Sequence, residues 1–394
     1  METEKTGNQQ EPGLVHRLRR YSDIIGDAGE FPVLDGLRAI AILLVLLRHA
    51  VHYREQGLEG SFWNIFYNGW IGVDLFFVLS GFLISYHLLS KWPQHFSWRF
   101  IGTYFIKRAL RILPLYFVIL LLIVLYVIPY YSPPNPVTLH SLGLNLVFLQ
   151  DYFSSATLLV PLWSLAVEEK FYLLAPLLIL LARVANGKVL ILSVLVFILL
   201  QHYLKMPGSH AGSYSEYFWA YKAPFHFSVV GILCGFIVAY SFLRFQVSEG
   251  FKRALKWFTW CSLPLILLLL FSERWMETGD WNRSSHVTLF LTVLFSLVIY
   301  NYLLQPLSPG NFLTGRTMRF IARLSYSLYL CHITIIPMTE RFVSGMVEQN
   351  ALFAFSIYFA VYILLSFCFS ILLYLLVEKP FLMMKGRFRY NEKV

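Results

Sequence analysis

Two ionisable side chains within one apolar segment are the first candidates for chemistry. The stretch 34–53, LDGLRAIAILLVLLRHAVHY, contains Arg38 and His49, eleven residues apart. Eleven residues are close to three helical turns, so in a helix both side chains lie on nearly the same face, roughly 16 Å apart along the axis. Ionisable groups inside a membrane are costly and are by default candidates for function. The spacing therefore predicts a cation near one membrane surface and a proton-accepting imidazole deep in the bilayer.

The composition indicates an integral membrane protein. The 394 residues are 57% hydrophobic and 14% charged, whereas soluble domains carry about 25% charged residues. The net charge of +10 is better explained by basic cytoplasmic loops than by nucleic-acid binding, because no basic patch is interleaved with polar sequence. The four cysteines lie in apolar stretches at no metal-ligand spacing. We therefore expect a lipid bilayer as partner, with no nucleic acid and no metal.

Hydropathy predicts an all-α, polytopic fold of about ten transmembrane helices. The apolar runs lie at roughly 36–54, 69–90, 110–131, 160–182, 188–204, 223–243, 255–272, 285–304, 320–338 and 351–377. The segment 139–152 is too short to span and is expected to be an interfacial or re-entrant helix. With the N-terminus in the cytoplasm, inside regions carry 23 Lys and Arg and outside loops carry six. Both termini are therefore expected inside, as polar tails (1–33 and 381–394) on a membrane domain (34–380).

This topology predicts a layer of ionisable groups at similar depth in the outer half of the membrane. The layer consists of His49, Asp74 in the second helix, Glu168 in the fourth and His332 in the ninth. Histidine and carboxylate side chains can exchange protons with a bound ligand. The four side chains are therefore candidate catalytic residues.

The cytoplasmic side has the opposite character. Arg108 and Arg111 stand at i and i+3, on one face at the expected entrance of the third helix, with Pro114 in its first turns. Together with Arg38 they are suited to bind a phosphate-bearing ligand. Anchoring by the positive-inside rule alone remains an alternative explanation for Arg108 and Arg111.

Six motifs in order give the chain a resemblance to a known family, the membrane acyltransferase 3 family. They are Arg38 with His49, the GVDLFFVLSGF block (Gly72–Phe82), the Arg108–Tyr116 run, WSLAVEE (Trp163–Glu169), SYSLYLCH (Ser325–His332) and VEKP (377–380). They extend over nearly the whole chain, from about residue 34 to 380. The resemblance implies transfer of an acyl group, most simply acetyl, to a hydroxyl of an extracytoplasmic glycan, lipid-linked sugar or glycoside.

The same resemblance implies the partners and the roles of the site residues. Acetyl-CoA or another short acyl-CoA would be the co-substrate, with its phosphates held by Arg38, Arg108 and Arg111. His49 would act as the base for a sugar hydroxyl, with Glu168 or Asp74 orienting its ring and stabilising the imidazolium, or as acyl carrier, and these two routes stay open. A multi-pass location in a bacterial inner or plasma membrane is expected, and a homodimer is left open.

A proton-coupled transporter or exporter of a glycan or small molecule is the alternative from another class, with the His and Glu layer relaying protons. Such proteins often contain inverted repeats, and no such halves are visible in this sequence. Two departures from the family pattern stand out. Lys170 occupies a place where the family usually has Gln and is a possible partner of Glu169. No esterase domain of the SGNH type is appended, so the membrane domain is expected to act alone or with a separate partner.

Overall fold

The chain folds into long helices without strands in the part that the computed structural model describes. The described residues are 24–25, 29–52, 60–206, 211–308, 310–344 and 351–388. Most of the predicted N-terminal tail (1–33) and the last six residues of the C-terminal tail (381–394) therefore lie outside them. The all-α fold class predicted from hydropathy is confirmed within these ranges.

Ten helices of at least 18 residues and two shorter ones are labelled here in chain order, among the described residues. They are α1 (Pro32–His52), α2 (Ile71–Lys91), α3 (Trp98–Val124), the short α4 (Leu139–Leu146), α5 (Leu162–Val184), α6 (Gly187–Leu204), α7 (Phe225–Arg244), α8 (Glu249–Ser272), α9 (Trp281–Leu304), α10 (Arg316–Val343), α11 (Ala351–Leu373) and the short α12 (Lys379–Lys385). A π-helical turn, Tyr374–Glu378, joins the last two.

Seven helical segments of the described chain are long and apolar enough to cross a membrane. They include α2 and α6 through α11, whereas α1, α3 and α5 are not among them. The charged residues of these three helices, which include the candidate arginines and glutamates, keep them out of this set. The chain is thus a multi-pass membrane protein by helix length and composition, and the count of about ten spans stays a prediction.

The helices differ in how much apolar surface they expose. Leucines of α6 and α8, such as Leu199 and Leu268, are exposed, whereas α10 is buried along most of its length. In the described residues α10 packs on α1 and α11, and α2 packs on α7. A side chain at Gly81 of α2 would meet the carbonyl oxygen of Ile232, and one at Gly235 of α7 would meet that of Val78. The two glycines therefore allow α2 and α7 to approach closely, as small residues do between membrane helices.

The predicted start of the third helix was wrong by twelve residues. Helix α3 begins at Trp98, where the Ser97 hydroxyl accepts a hydrogen bond from the Phe100 amide at 3.3 Å. Arg108 and Arg111 therefore lie well inside the helix rather than at its entrance, and Pro114 lies in its interior rather than in its first turns. Hydropathy missed this first part because its basic residues lower the mean, while the Ser97 cap still starts the helix there.

The short segment before α5 contains the helix that the sequence predicted. Helix α4 begins with a capping box in which Thr138 and Ser141 exchange hydrogen bonds, at 3.0 and 2.9 Å. Asn145 in its last turn is fully buried and donates to the carbonyl oxygens of Ser141 and Ala156. The segment is therefore folded against the bundle by its own polar contacts.

Candidate active site

The two histidines of the predicted layer lie side by side. Helices α1 and α10 bring the ring centroids of His49 and His332 to 4.9 Å, with an angle of 52° between the ring planes. Both helices carry arginines near their first turns, and Arg38 and Arg323 lie close enough to Glu378 to interact with it electrostatically. The two helices thus run in the same direction, with arginines at one end and histidines toward the other.

His332 is fully buried, and one of its ring nitrogens has a defined role. Its Nδ1 atom lies 3.0 Å from the carbonyl oxygen of Leu328, one turn earlier in α10. A carbonyl accepts only, so Nδ1 carries the proton in the neutral ring and Nε2 keeps its lone pair. The Nε2 atom has no hydrogen-bond partner among the described residues. A buried polar atom without a partner, next to a second imidazole, is a place where a substrate atom can bind.

The arginines of the predicted phosphate site come together at the other end of α1. Arg38 and Arg111 interact electrostatically with each other and with Glu168, on three different helices. Arg108 lies with its guanidinium carbon 5.3 Å from the ring centroid of Tyr172. We name Arg38, Arg108 and Arg111 the arginine cluster. It is separated from His49 by roughly 16 Å along α1, at about 1.5 Å per residue.

The described contacts of Glu168 link it to the arginine cluster and not to the histidines. Its Oε1 accepts a hydrogen bond from the Ser80 hydroxyl at 3.0 Å, and its Oε2 accepts one from the Tyr172 hydroxyl at 3.2 Å. Both oxygens are thus bound to hydroxyl donors, and Arg111 and Arg38 interact with the carboxylate electrostatically. A carboxylate held in this way balances the arginines and fixes their positions.

Asp74 pairs with a residue that sequence reasoning missed. Its two oxygens lie 3.3 and 3.1 Å from the ammonium of Lys222, and both side chains are buried. Lys222 belongs to the turn before α7 and also lies 4.8 Å from the ring centroid of Trp70. No motif pointed to Lys222, since it stands alone among aromatic residues in the sequence. The described ion pair gives Asp74 a buried partner that the sequence did not indicate.

Lys170 does not pair with Glu169, which corrects the suggested contact between these neighbours. Its ammonium instead forms an ion pair with Asp151, which has no exposed surface and lies in the loop before α5. The second oxygen of Asp151 accepts a hydrogen bond from the Phe225 amide at the start of α7, at 3.0 Å. The lysine therefore joins α5 to the loop and, through Asp151, to α7.

Arg48, next to His49 in α1, forms a further ion pair that the sequence did not indicate. Its guanidinium lies 3.0 Å from the carboxylate of Glu277, in the connection between α8 and α9. The Arg48 side chain is only 9% exposed, so this ion pair is largely buried and differs from a surface salt bridge. The end of α1 that carries His49 is thus fixed to a different part of the bundle.

Comparison with known proteins identifies the family of this chain. The profile of the acyltransferase 3 family, described as an acyltransferase domain, matches residues 31–375. The chain is 28% identical to the peptidoglycan O-acetyltransferase OatA of Listeria monocytogenes over 78% of its own length and 50% of that protein. It is 26% identical to the O-acetyltransferase OatA of Staphylococcus aureus strain NCTC 8325, over 80% of its length and 52% of that protein. A putative O-acetyltransferase of Staphylococcus aureus strain COL is also 26% identical, over 89% of this chain and 57% of its own.

The chain spans about half the length of the curated relatives it matches. No solved structure matches it significantly. The matched region includes both histidines and the arginine cluster. Because the family profile covers most of the sequence, the chain belongs to the acyltransferase 3 family of membrane acyltransferases.

Proposed function

We propose that this protein is a membrane O-acetyltransferase that moves an acetyl group from cytoplasmic acyl-CoA to a hydroxyl of an extracytoplasmic glycan, lipid-linked sugar or glycoside. The observation that carries the proposal is the pair His49 and His332, in which the buried Nε2 atom of His332 has no partner within the described ranges. Family membership favours acyl transfer over the transporter alternative. The relatives named as O-acetyltransferases favour acetyl as the group transferred.

The separation of charges along α1 supports a donor and an acceptor that meet from opposite sides. The arginine cluster lies toward the first turns of α1, and His49 lies in its last turn. Arginine side chains bind phosphate oxygens through paired N–H donors. The three arginines would hold the phosphates of the donor, and the long flexible arm of coenzyme A would reach along α1 toward His49.

In the direct route, the histidine pair acts on the acceptor hydroxyl. His49 takes the hydroxyl proton as the oxygen forms a bond to the thioester carbonyl carbon, and His332 Nε2 accepts a hydrogen bond that holds the reacting group. The carbon–sulfur bond then breaks, and the proton held by the imidazole passes to the departing thiolate. The products are an O-acetyl ester and a free thiol. In the alternative route, a ring nitrogen of His49 attacks the thioester carbonyl carbon, and the carbon–sulfur bond breaks to release the thiolate, which takes up a proton. The acceptor hydroxyl then attacks the acetyl group on the ring, loses its proton and leaves His49 free.

The proposed orientation follows from the charges on the loops. Ten passes, with both termini in the cytoplasm, would put the first turns of α1 and α10 on the inner side, near the donor. The last turns of α1 and α6 and the first turns of α2 and α7 would then lie on the outer side. A bacterial plasma membrane is the expected location.

The test uses the full chain, purified in detergent, with acetyl-CoA labelled in the acetyl group. We expect His49→Ala to lower transfer by at least about a hundredfold, since general acid–base groups contribute 10²–10⁴-fold. The matched control is His140→Ala, which removes an exposed histidine of α4. Normal transfer by the folded His49→Ala protein would refute the assignment. Mass spectrometry of surface glycans from wild-type and deletion strains would identify the acceptor by a difference of one acyl mass.

A further inference from the structure

A polar cavity lies between the ends of four helices, away from the arginine cluster. It is formed by the first turns of α2, α7 and α9 and the last turn of α6. Charged and hydroxyl side chains line it: Asp74, Lys205, Lys222, Ser228, Thr288 and Thr292. In the proposed orientation this cavity is on the outer side, where the acceptor must enter.

The charges around the cavity do not cancel. Asp74 and Lys222 neutralise each other as an ion pair at 3.1 Å. Lys205 forms no ion pair with a carboxylate among the described residues, and its nearest described ring is that of Phe227, 5.6 Å from the ammonium. Lys205 and Lys222 lie close enough to repel each other. When Lys205 is protonated, the cavity therefore carries one positive charge without an ion-pair partner among the described residues, and it can accept one negative group.

The cavity is connected to the histidine pair through packed side chains. Trp70, whose ring lies below the ammonium of Lys222, belongs to a turn that packs on α1. Tyr214 is hydrogen-bonded to Arg48, the residue before His49, and interacts electrostatically with Asp74. The cavity thus lies at the same end of the bundle as the histidine pair.

We propose that this cavity binds a carboxylate or phosphate group of the acceptor, which makes acidic glycans the acceptor class. The inference rests on the proposed function, because it assigns the cavity to the substrate of that reaction. Lys205 provides the charge and the N–H donors, because the hydroxyls of Ser228 and Thr288 beside it already donate to the carbonyl oxygens of Lys222 and Ser284. The charge selects the acceptor, and the histidines act on its hydroxyl.

Binding can be measured without any acyl donor, so the test stands apart from the proposed chemistry. The full chain in a neutral detergent is dialysed against a labelled disaccharide that contains glucuronic acid, and against its carboxyl-reduced counterpart. We expect the acidic disaccharide to bind at least tenfold more tightly than the neutral one. In Lys205→Met this preference should disappear. The control Lys188→Met removes an exposed lysine at the opposite end of the same helix and should keep the preference.

Equal binding of the two disaccharides by the wild type, or an unchanged preference in Lys205→Met, would overturn the proposal. A lipid headgroup is the competing source of the same chemistry. Displacement of the acidic disaccharide by vesicles of phosphatidylglycerol, but not by inorganic phosphate, would assign the cavity to lipid and overturn the acceptor role. In the transfer assay, Lys205→Met should raise KM for the acidic acceptor and leave kcat unchanged. If His49→Ala retained transfer, the proposed function would fail while the binding result would stand.

Discussion

The ammonium of Lys170 and the buried carboxylate of Asp151 form an ion pair that joins α5 to the preceding loop. Lys170 directly follows Glu168 and Glu169, so this contact fixes the part of α5 from which the candidate glutamates project. Around it, Tyr152 stacks on His226 with ring centroids 5.7 Å apart, and its hydroxyl lies 3.2 Å from the Nδ1 atom of that histidine. The lysine that departs from the family pattern thus has a defined partner, which accounts for its presence.

Removal of Lys170 alone should destabilise the protein. Asp151 has no exposed surface and the Lys170 side chain is 17% exposed, so Lys170→Gln leaves a buried carboxylate without its cation. Breaking such a pair costs about 3 kcal/mol. We expect a clear fall in the melting temperature of the detergent-purified protein.

The double variant Lys170→Gln with Asp151→Asn serves as the control, because it removes both charges together. Its melting temperature should lie closer to that of the wild type than that of either single variant. Equal and additive losses from the two single changes would mean that the residues do not interact.

His332 should affect the rate of transfer and not the binding of the donor. His332→Gln keeps a polar side chain in the buried site but removes the ring nitrogen Nε2, which has no hydrogen-bond partner among the described residues. We expect kcat to fall by about tenfold to a hundredfold, with KM for acetyl-CoA unchanged and the pH dependence of kcat altered. An unchanged kcat, with an unchanged pH profile, would reduce His332 to a packing residue.

Arg38 should affect the binding of the acyl donor and not the rate of transfer. Arg38→Lys keeps one positive charge but loses the planar pair of donors that matches a phosphate. We expect KM for acetyl-CoA to rise by about tenfold with little change in kcat. Arg99→Lys, an exposed arginine at the start of α3, is the matched control and should behave as the wild type. If both variants gave the same KM, the arginine would have no role in donor binding.

The sequence predicts the level of a residue along its helix better than it predicts which neighbouring helix the side chain faces. Counting residues along α1 and α10 predicted that His49 and His332 share a level, and their rings do meet. The same counting placed Asp74 in that layer, but it carries no information on which neighbour a side chain faces. Asp74 faces Lys222, which is 148 positions away in the sequence. Lys222 lies in a turn, and hydropathy does not predict the conformation of that turn. Side-chain partners across helices depend on the packing of the whole bundle.

The binding of an acidic acceptor should weaken as the pH rises. Burial, followed by repulsion from Lys222, lowers the pKa of Lys205 to about 7, while Asp74 acts in the opposite direction. Below this pKa the ammonium is protonated and attracts the negative group, and above it the attraction is lost. From pH 6 to pH 8 the protonated fraction falls by about tenfold, so the affinity for the glucuronate disaccharide should fall by a similar factor.

Other ionisable groups face the same cavity, so the measurement needs a variant that isolates Lys205. They are Lys222 and Asp74, which form the ion pair, His202, which lines the cavity, and His226, which interacts electrostatically with Lys205. Lys205→Arg keeps its charge throughout this range, because an arginine stays protonated. Its affinity for the disaccharide should therefore be nearly constant from pH 6 to pH 8. A fall as steep as that of the wild type would show that the histidines, and not Lys205, control the binding.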